Sequence, residues 1–286
     1  MITRRHFVQS SLLAVAAVKL APAAFAKSSS GKLPIALQLY SIRNDCARDF
    51  DAALAEVAKM GFQGVEFAGY HTYDKKPKEL RKRLDDLNLK TAATHISTAS
   101  LQGDALKQTI EFHQTIGCKF LIVPGDRDFT DPEKSKALAE TFNKIAQTLK
   151  PLGMFCGYHN HKHEFEVSKE GGKTWWDLFA ERTSKDVVLQ QDCGWTAAAG
   201  FDPVQVMKRY PGRMKSTHFK PTVVNNEAGK KAFLGQDSVN WPAVLDACIK
   251  FGGTEWITLE QEVYPDGKSP MEASAISFAA LKKLVG

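Results

Sequence analysis

Residues 154–166, MFCGYHNHKHEFE, decide the reading of the whole chain. A short β-prone run from Met154 to Tyr158 delivers His159 and His161 at alternate positions, and His163, Glu164 and Glu166 follow at once. Three of the eight histidines of this 286-residue chain stand in this one place. Successive side chains of a strand point to opposite faces, so His159 and His161 share one face and Asn160 takes the other. A strand that ends in ionisable side chains points to an α/β fold whose chemistry lies at the carboxyl ends of its strands.

The same pattern recurs along the sequence. Strand candidates fall at 34–41 (PIALQLYS), 64–69 (GVEFAG), 91–97 (TAATHIS), 119–125 (KFLIVPG), 154–160, 187–192 (VVLQQD), 214–221 (MKSTHFKP) and 255–262 (EWITLEQE). Between them lie amphipathic stretches such as DAALAEVAKMG, PKELRKRLDDLN and PEKSKALAETFNKIAQTLKPLG, with apolar residues at helical spacing and Gly or Asn at the ends. Eight β–α alternations without a break in composition predict a single-domain (β/α)8 TIM barrel over residues 33–286. A doubly wound open sheet is the alternative, but its Gly-rich first turn has no counterpart in LQLYSIRND.

The N-terminus carries a different message. Arg4 and Arg5, a short apolar stretch interrupted by Lys19, and small residues at Ala24 and Ala26 read as a twin-arginine export signal over residues 1–26. Cleavage after Ala26 would leave a flexible leader, residues 27–32, and a folded periplasmic protein handled by the twin-arginine export machinery. Removing residues 1–26 takes away Arg4, Arg5 and Lys19 and no acidic residue, so the net charge falls from +6 to +3. That charge is too mild and too scattered for a nucleic-acid partner. No stretch is apolar for long enough to serve as a stable membrane anchor, and a homo-oligomer is left open. Five cysteines without a C-x-x-C pair argue against a zinc knuckle or a disulfide framework and read as small buried apolar residues.

If the barrel reading holds, Gln38, Glu66, His95, His159, His161, Asp192, His218, Lys220, Glu260 and Glu262 all converge on one rim. Two carboxylates and one or two imidazoles from the last four strands make a hard-to-borderline ligand set suited to one divalent ion, Mn2+, Co2+, Zn2+ or Mg2+. Each residue alone has a plainer reading. Asp192 is also a helix cap, His218 a core histidine, and Glu260 the partner of Lys220 in a structural ion pair. Glu66 and His95 are substrate contacts or solvated rim residues, and Trp195, Trp241 and Trp256 are packing residues or sugar platforms.

The ordered segments GVEFAGY, THIS, YHNHKHEFE, QQDCGW, HFKP, LGQDSVNW and WITLEQE are similar to those of the sugar phosphate isomerase/epimerase family, the xylose-isomerase-like barrels. In such barrels a divalent metal is held by Glu, Asp, His and Glu from strands five to eight, and the resemblance places three of these ligands at Asp192, His218 and Glu260. Where the related epimerases carry a strand-five glutamate, this chain has YHNH. His159 is the expected fourth ligand, with His161 next and Glu164 as a substrate-side carboxylate or alternative ligand; His163 is expected to be a solvated loop residue.

The resemblance implies a metal-dependent isomerase or epimerase acting on a free sugar or sugar derivative through an enediolate. Glu260, Glu164, Lys220 and His161 are the expected catalytic groups, with Glu66, His95, Trp195 and Glu262 contacting substrate. Elimination on a 3-keto-glycoside or keto-sugar is the alternative, because the same enolate can expel a group β to the carbonyl. A non-catalytic carbohydrate-binding protein is the third reading. A related endonuclease would want a basic groove and more histidines.

Overall fold

The structure, a computed structural model, describes residues 32–286. The expected export signal and all of its leader except Lys32 lie outside the described residues. Eight strands follow in order: β1 (Ile35–Gln38), β2 (Gly64–Phe67), β3 (Lys90–His95), β4 (Phe120–Val123), β5 (Phe155–His159), β6 (Val188–Gln190), β7 (Ser216–Phe219) and β8 (Trp256–Leu259). Every ladder is parallel, and β1 pairs with both β2 and β8, so the sheet wraps round. The seam between β6 and β7 is closed by a parallel bridge between Asp192 and His218, where His218 N donates to Gln191 O at 2.9 Å. The chain therefore folds as a TIM barrel, and the open doubly wound sheet is excluded.

All eight expected strands are present, but each ends one to three residues before its expected limit. At the rim the backbone leaves the ladder for short 3-10 turns and loops. Asp192, Lys220, Glu260 and Glu262 consequently stand just beyond strand ends, free of the pleat.

The helices form where the sequence periodicity places them. Phe50–Met60 is capped by Asp49, which accepts from Ala52 N at 3.0 Å, and it buries Phe50, Ala53, Leu54 and Val57, one stripe at helical spacing. Gly61, at φ 97°, ends it in the left-handed region. Ser135–Leu149 buries Leu138, Phe142, Ile145 and Leu149 in the same way. These stripes pack on the outward faces of the strands. All five cysteines are buried free thiols.

Inside the barrel the two-residue period of the strands stacks side chains in tiers. The base is apolar: Ala93, Phe120, Ile122 and Val188, with Phe155 and Trp256 packed against them. Gly157 belongs to this filling, since a Cβ there would lie 2.6 Å from Val188 Cβ. Two residues further along the strands come Gln190, Ser216 and Thr258, joined by Glu66 of β2, all fully buried. The next inward positions carry His159, Asp192, His218 and Glu260.

Candidate active site

His159, Asp192, His218 and Glu260 each offer one ligand atom, and these atoms all lie within 4.8 Å of one another. These are the four residues the sequence singled out. All four are at least 95% buried. His159 ends β5, and His218 lies within β7. Glu260 follows β8, with its backbone N–H donating to Phe219 O at 3.2 Å. Asp192 caps the helix Cys193–Ala198 through Oδ1, which accepts from Trp195 N at 2.7 Å. Its Oδ2 is buried without a hydrogen-bond partner. The cap and ligand readings of Asp192 are thus compatible, one oxygen for each. A short approach makes this possible: a Cβ on Gly194 would overlap the Lys220 carbonyl oxygen and the Thr222 hydroxyl.

The electrostatics fit a cation. Burial pushes the Asp192 carboxyl up to about 7, against the pull of Lys220 and with the help of Glu260. Burial would likewise raise Glu260, but Lys220 and His218 hold it well below the usual carboxylate range. Burial opposes the charge on His218, yet Glu66 and Glu260 flank the ring and push it up to about 10. His159 is held far below its ordinary value by burial and by His218, His95 and His161. A buried carboxylate oxygen with no donor is costly unless something positive meets it. Two imidazoles and two carboxylates form a borderline N2O2 donor set, which suits a divalent ion such as Zn2+, Mn2+ or Co2+.

Around this cluster the other expected residues separate into two groups. At the mouth, a cavity of about 380 Å3 is lined by Pro124, Gly125, His161, Lys162, His163 and Trp195. The His161 ring lies 5.0 Å from that of His159 and 5.8 Å from Trp195. Lys220 Nζ stands 4.7 Å from the centre of the Trp195 ring. Lys220 forms its ion pair with Glu262, so the expected structural pair with Glu260 is replaced by a pair one step further out. Trp241 is a packing residue, 2% exposed, and Trp256 packs on the barrel base.

Three expectations are corrected. Glu66 is neither a substrate contact nor a solvated rim residue: it is fully buried, with Oε1 2.8 Å from Gln38 Nε2, His95 Nε2 and His218 Nε2, and Oε2 accepting from Gln190 Nε2 at 2.9 Å. Burial alone would raise its carboxyl, but His218 and His95 hold it far below the usual range. His95 is likewise no solvated rim residue: its side chain is 10% exposed and joins this network, with Nε2 2.7 Å from Gln190 Oε1. Glu164, expected as a catalytic carboxylate, is fully buried; Oε2 accepts from His161 N at 2.8 Å, and Oε1 lies 3.0 Å from His163 Nε2. It holds the loop that follows β5, and half-exposed His163 is its partner. The sequence reading missed Gln190, Ser216 and Thr258. Each stands two residues before Asp192, His218 or Glu260 and so on the same face of its strand, a spacing that becomes informative only once the register is known.

The chain is a (β/α)8 barrel with a carboxylate–imidazole cluster at the carboxyl ends of β5 to β8 whose donor set could hold a divalent ion. The chain belongs to the xylose isomerase-like TIM barrel family, whose profile matches residues 54–284. It is 26% identical over 261 residues to an inosose dehydratase of Clostridium botulinum, covering 78% of this chain and 85% of that one. Among solved structures it is similar to a sugar phosphate isomerase/epimerase of Parabacteroides distasonis, at 26% identity and TM-score 0.73, covering 89% of this chain and 100% of that one. It shares its fold, at 14% identity and TM-score 0.64, with an IolI protein solved with a bound zinc atom, covering 88% of this chain and 98% of that one. Relatives of this chain are enzymes by name, and among the described residues no helix is long and apolar enough to cross a membrane.

Proposed function

We propose that this protein is a divalent-metal-dependent lyase that acts on an inosose-like or 3-keto sugar derivative. It would remove the proton beside the carbonyl and expel the hydroxyl or alkoxyl group β to it. The observation that carries this reading over a two-base epimerase is the place of Glu164. With His159 standing where the related epimerases have a glutamate, Glu164 was the remaining carboxylate for that side of the substrate, and it is fully buried, with Oε2 accepting from His161 N and Oε1, which has no hydrogen-bond partner, 3.0 Å from His163 Nε2. The carboxylates next to the mouth, Glu260 and Glu262, then both come from the end of β8. A site with carboxylates on one side suits elimination, in which a base and an acid have different tasks. The dehydratase name of the relative supports the same choice.

His159, Asp192, His218 and Glu260 would hold the metal. When bound, the ion supplies a Lewis acid for the substrate carbonyl. Glu260, held as a carboxylate by Lys220 and His218, is placed to take the carbon-bound proton. Lys220, which is 5% exposed and kept charged by Glu260, Asp192 and Glu262 against its burial, is placed to steady the developing oxyanion. His161 borders the mouth, and burial lowers its pKa, so its neutral ring can relay a proton to or from the leaving group. Trp195 gives a flat apolar wall beside Lys220, suited to the face of a sugar ring.

Epimerisation is the second reading, favoured by the same neutral His161 if it returns the proton to the opposite face. The Arg4–Arg5 pair and the Ala24–Ala26 ending support export to the periplasm, and an exported enzyme meets unphosphorylated sugars.

The test is a metal assay followed by a product assay. Near one divalent ion per chain, lost in His218→Ala, together with loss of water from an inosose or of the aglycone from a 3-keto-glycoside, is the expected result. Exchange of the carbon-bound proton with D2O without elimination would favour the epimerase. No metal uptake would remove both readings and leave a carbohydrate-binding protein.

A further inference from the structure

The interiors of TIM barrels are filled mainly by branched aliphatic side chains. Here the tier directly beneath the cluster is polar: Glu66, Gln190, Ser216 and Thr258, each fully buried. Valine or leucine would serve stability better, because a buried carboxylate is tolerated only when fully paired. The pairing in this tier is directional. A carboxylate accepts and does not donate, so the end of Gln190 that lies 2.9 Å from Glu66 Oε2 is its NH2 group. The opposite end, Oε1, must then be an acceptor, and it lies 3.0 Å from His159 Nδ1 and 2.7 Å from His95 Nε2. Both of those ring nitrogens carry hydrogen. Glu66 Oε1 likewise lies 2.8 Å from His218 Nε2, which must also carry hydrogen. His159 is left with Nε2 as its lone-pair nitrogen; His218 Nδ1, 2.9 Å from Glu260 Oε2, donates to that carboxylate in the metal-free ring and is the nitrogen left to give up its hydrogen to an ion.

We infer that Glu66 and Gln190 are positioning residues that hold the hydrogen on His159 Nδ1 and on His218 Nε2, so that one ring presents Nε2 and the other Nδ1 to a single ion. Glu66 sets both: it binds the His218 ring directly and fixes the Gln190 amide that binds the His159 ring. The amide has no rotational freedom while Glu66 is charged, since a flip would set Gln190 Oε1 against a carboxylate oxygen and its NH2 against the Nδ1–H of His159. The tier thus fixes which nitrogens can ligate before an ion arrives, and it does so without touching the substrate. Partners that orient ligating histidines typically contribute about 10- to 100-fold to metal affinity.

The inference rests on the metal reading of the cluster, and the experiment separates the two. The full chain is labelled with 15N-histidine, and long-range 1H–15N spectra are recorded with zinc and after chelation, for wild type, Glu66→Gln and Gln190→Met. In the wild type with zinc, His159 is expected as Nδ1–H and His218 as Nε2–H, and His159 keeps Nδ1–H after chelation. Zinc affinity is expected to fall about 10- to 100-fold in both variants, and the His159 ring of Gln190→Met to lose its single tautomer. Folded variants that bind zinc within threefold of wild type and keep both ring assignments would overturn the inference. If wild type takes up no zinc, the proposed function fails, and the His159 ring of the metal-free protein still decides: Nδ1–H upholds the positioning role, Nε2–H overturns it. Should Glu66→Gln fail to fold, Gln190→Met and the wild-type spectra decide alone.

Discussion

Asp192 and His218 form the parallel bridge that closes the barrel between β6 and β7, and the same two residues supply half of the candidate metal cluster. Closing the fold and building the site are one event at this seam. The β6–β7 pair is otherwise joined through few backbone bonds, such as Leu189 N to Arg213 O at 3.0 Å. An ion shared by Asp192 and His218 would therefore tie the least zipped edge of the sheet. At a free concentration 100 times Kd, a ligand stabilises the native state by about 2.7 kcal/mol. In a domain of this size that raises Tm by several degrees. Differential scanning fluorimetry with and without zinc or manganese should show this rise in wild type and none in His218→Ala.

Asp192→Asn should separate stability from function. The asparagine carbonyl keeps the cap on Trp195 N, while the partnerless Oδ2 ceases to be half of a buried anion. The metal-free variant is expected to be more stable than metal-free wild type, by something of the order of 1–3 kcal/mol, because a buried unsatisfied charged group has been neutralised. Metal uptake should be lost in the same variant. Urea denaturation of the chelated proteins, with elemental analysis of the untreated ones, measures both. A less stable metal-free Asp192→Asn would mean that the carboxylate is satisfied without an ion.

Much of this was legible in the sequence, and the limits have a physical cause. The βα alternation follows from periodicity, which is local, so the barrel and its helices could be read directly. The cluster of His159, Asp192, His218 and Glu260 was legible because ionisable residues at four successive strand ends are conspicuous in apolar surroundings. The polar tier was not. Gln190, Ser216 and Thr258 are uncharged strand residues, and one sequence does not distinguish an inward tier from an outward face without the register. Glu66 and Glu164 were assigned to substrate and catalysis for the converse reason: a carboxylate near a strand end advertises chemistry, whereas its burial and its partners, His218 and Gln190 for one and His161 N for the other, are properties of the fold.

Glu164→Gln tests that correction. The amide oxygen can still accept from His161 N, so the loop keeps its shape, and turnover should stay within about tenfold of wild type. A carboxylate acting as general acid or base would instead cost about 10²- to 10⁴-fold. The substitution also removes the charge that faces His163. The 3.0 Å side-chain contact from His163 to Glu164, followed by their charge attraction, raises the His163 pKa above its ordinary 6.5 in the folded protein, in spite of partial burial. A folded pKa above the unfolded one stabilises fully below about 6.5, and the stabilisation is lost as pH rises through the folded value. Wild type should therefore lead Glu164→Gln in Tm by more at pH 6 than at pH 9, with His163→Gln abolishing the pH-dependent part.

Gly194→Ala should damage the site through the backbone. The glycine stands two residues after Asp192, at the start of the helix Cys193–Ala198, and its α-carbon faces the chain that leaves β7. A methyl group there meets the Lys220 carbonyl oxygen and the Thr222 hydroxyl at less than contact distance, and the first of these is main chain that cannot rotate away. Either the helix lifts, taking the Asp192 carboxylate with it, or the segment after His218 moves and carries Lys220 from its place beside Trp195 and Glu262. Overpacking of this kind costs about 1–3 kcal/mol in stability. Both escapes displace a group assigned to the metal or to the oxyanion, so kcat should fall more than tenfold while the far-UV circular dichroism stays that of a folded barrel. Metal affinity tells the two apart: weaker binding means that Asp192 moved, and unchanged binding with lowered kcat means that Lys220 did.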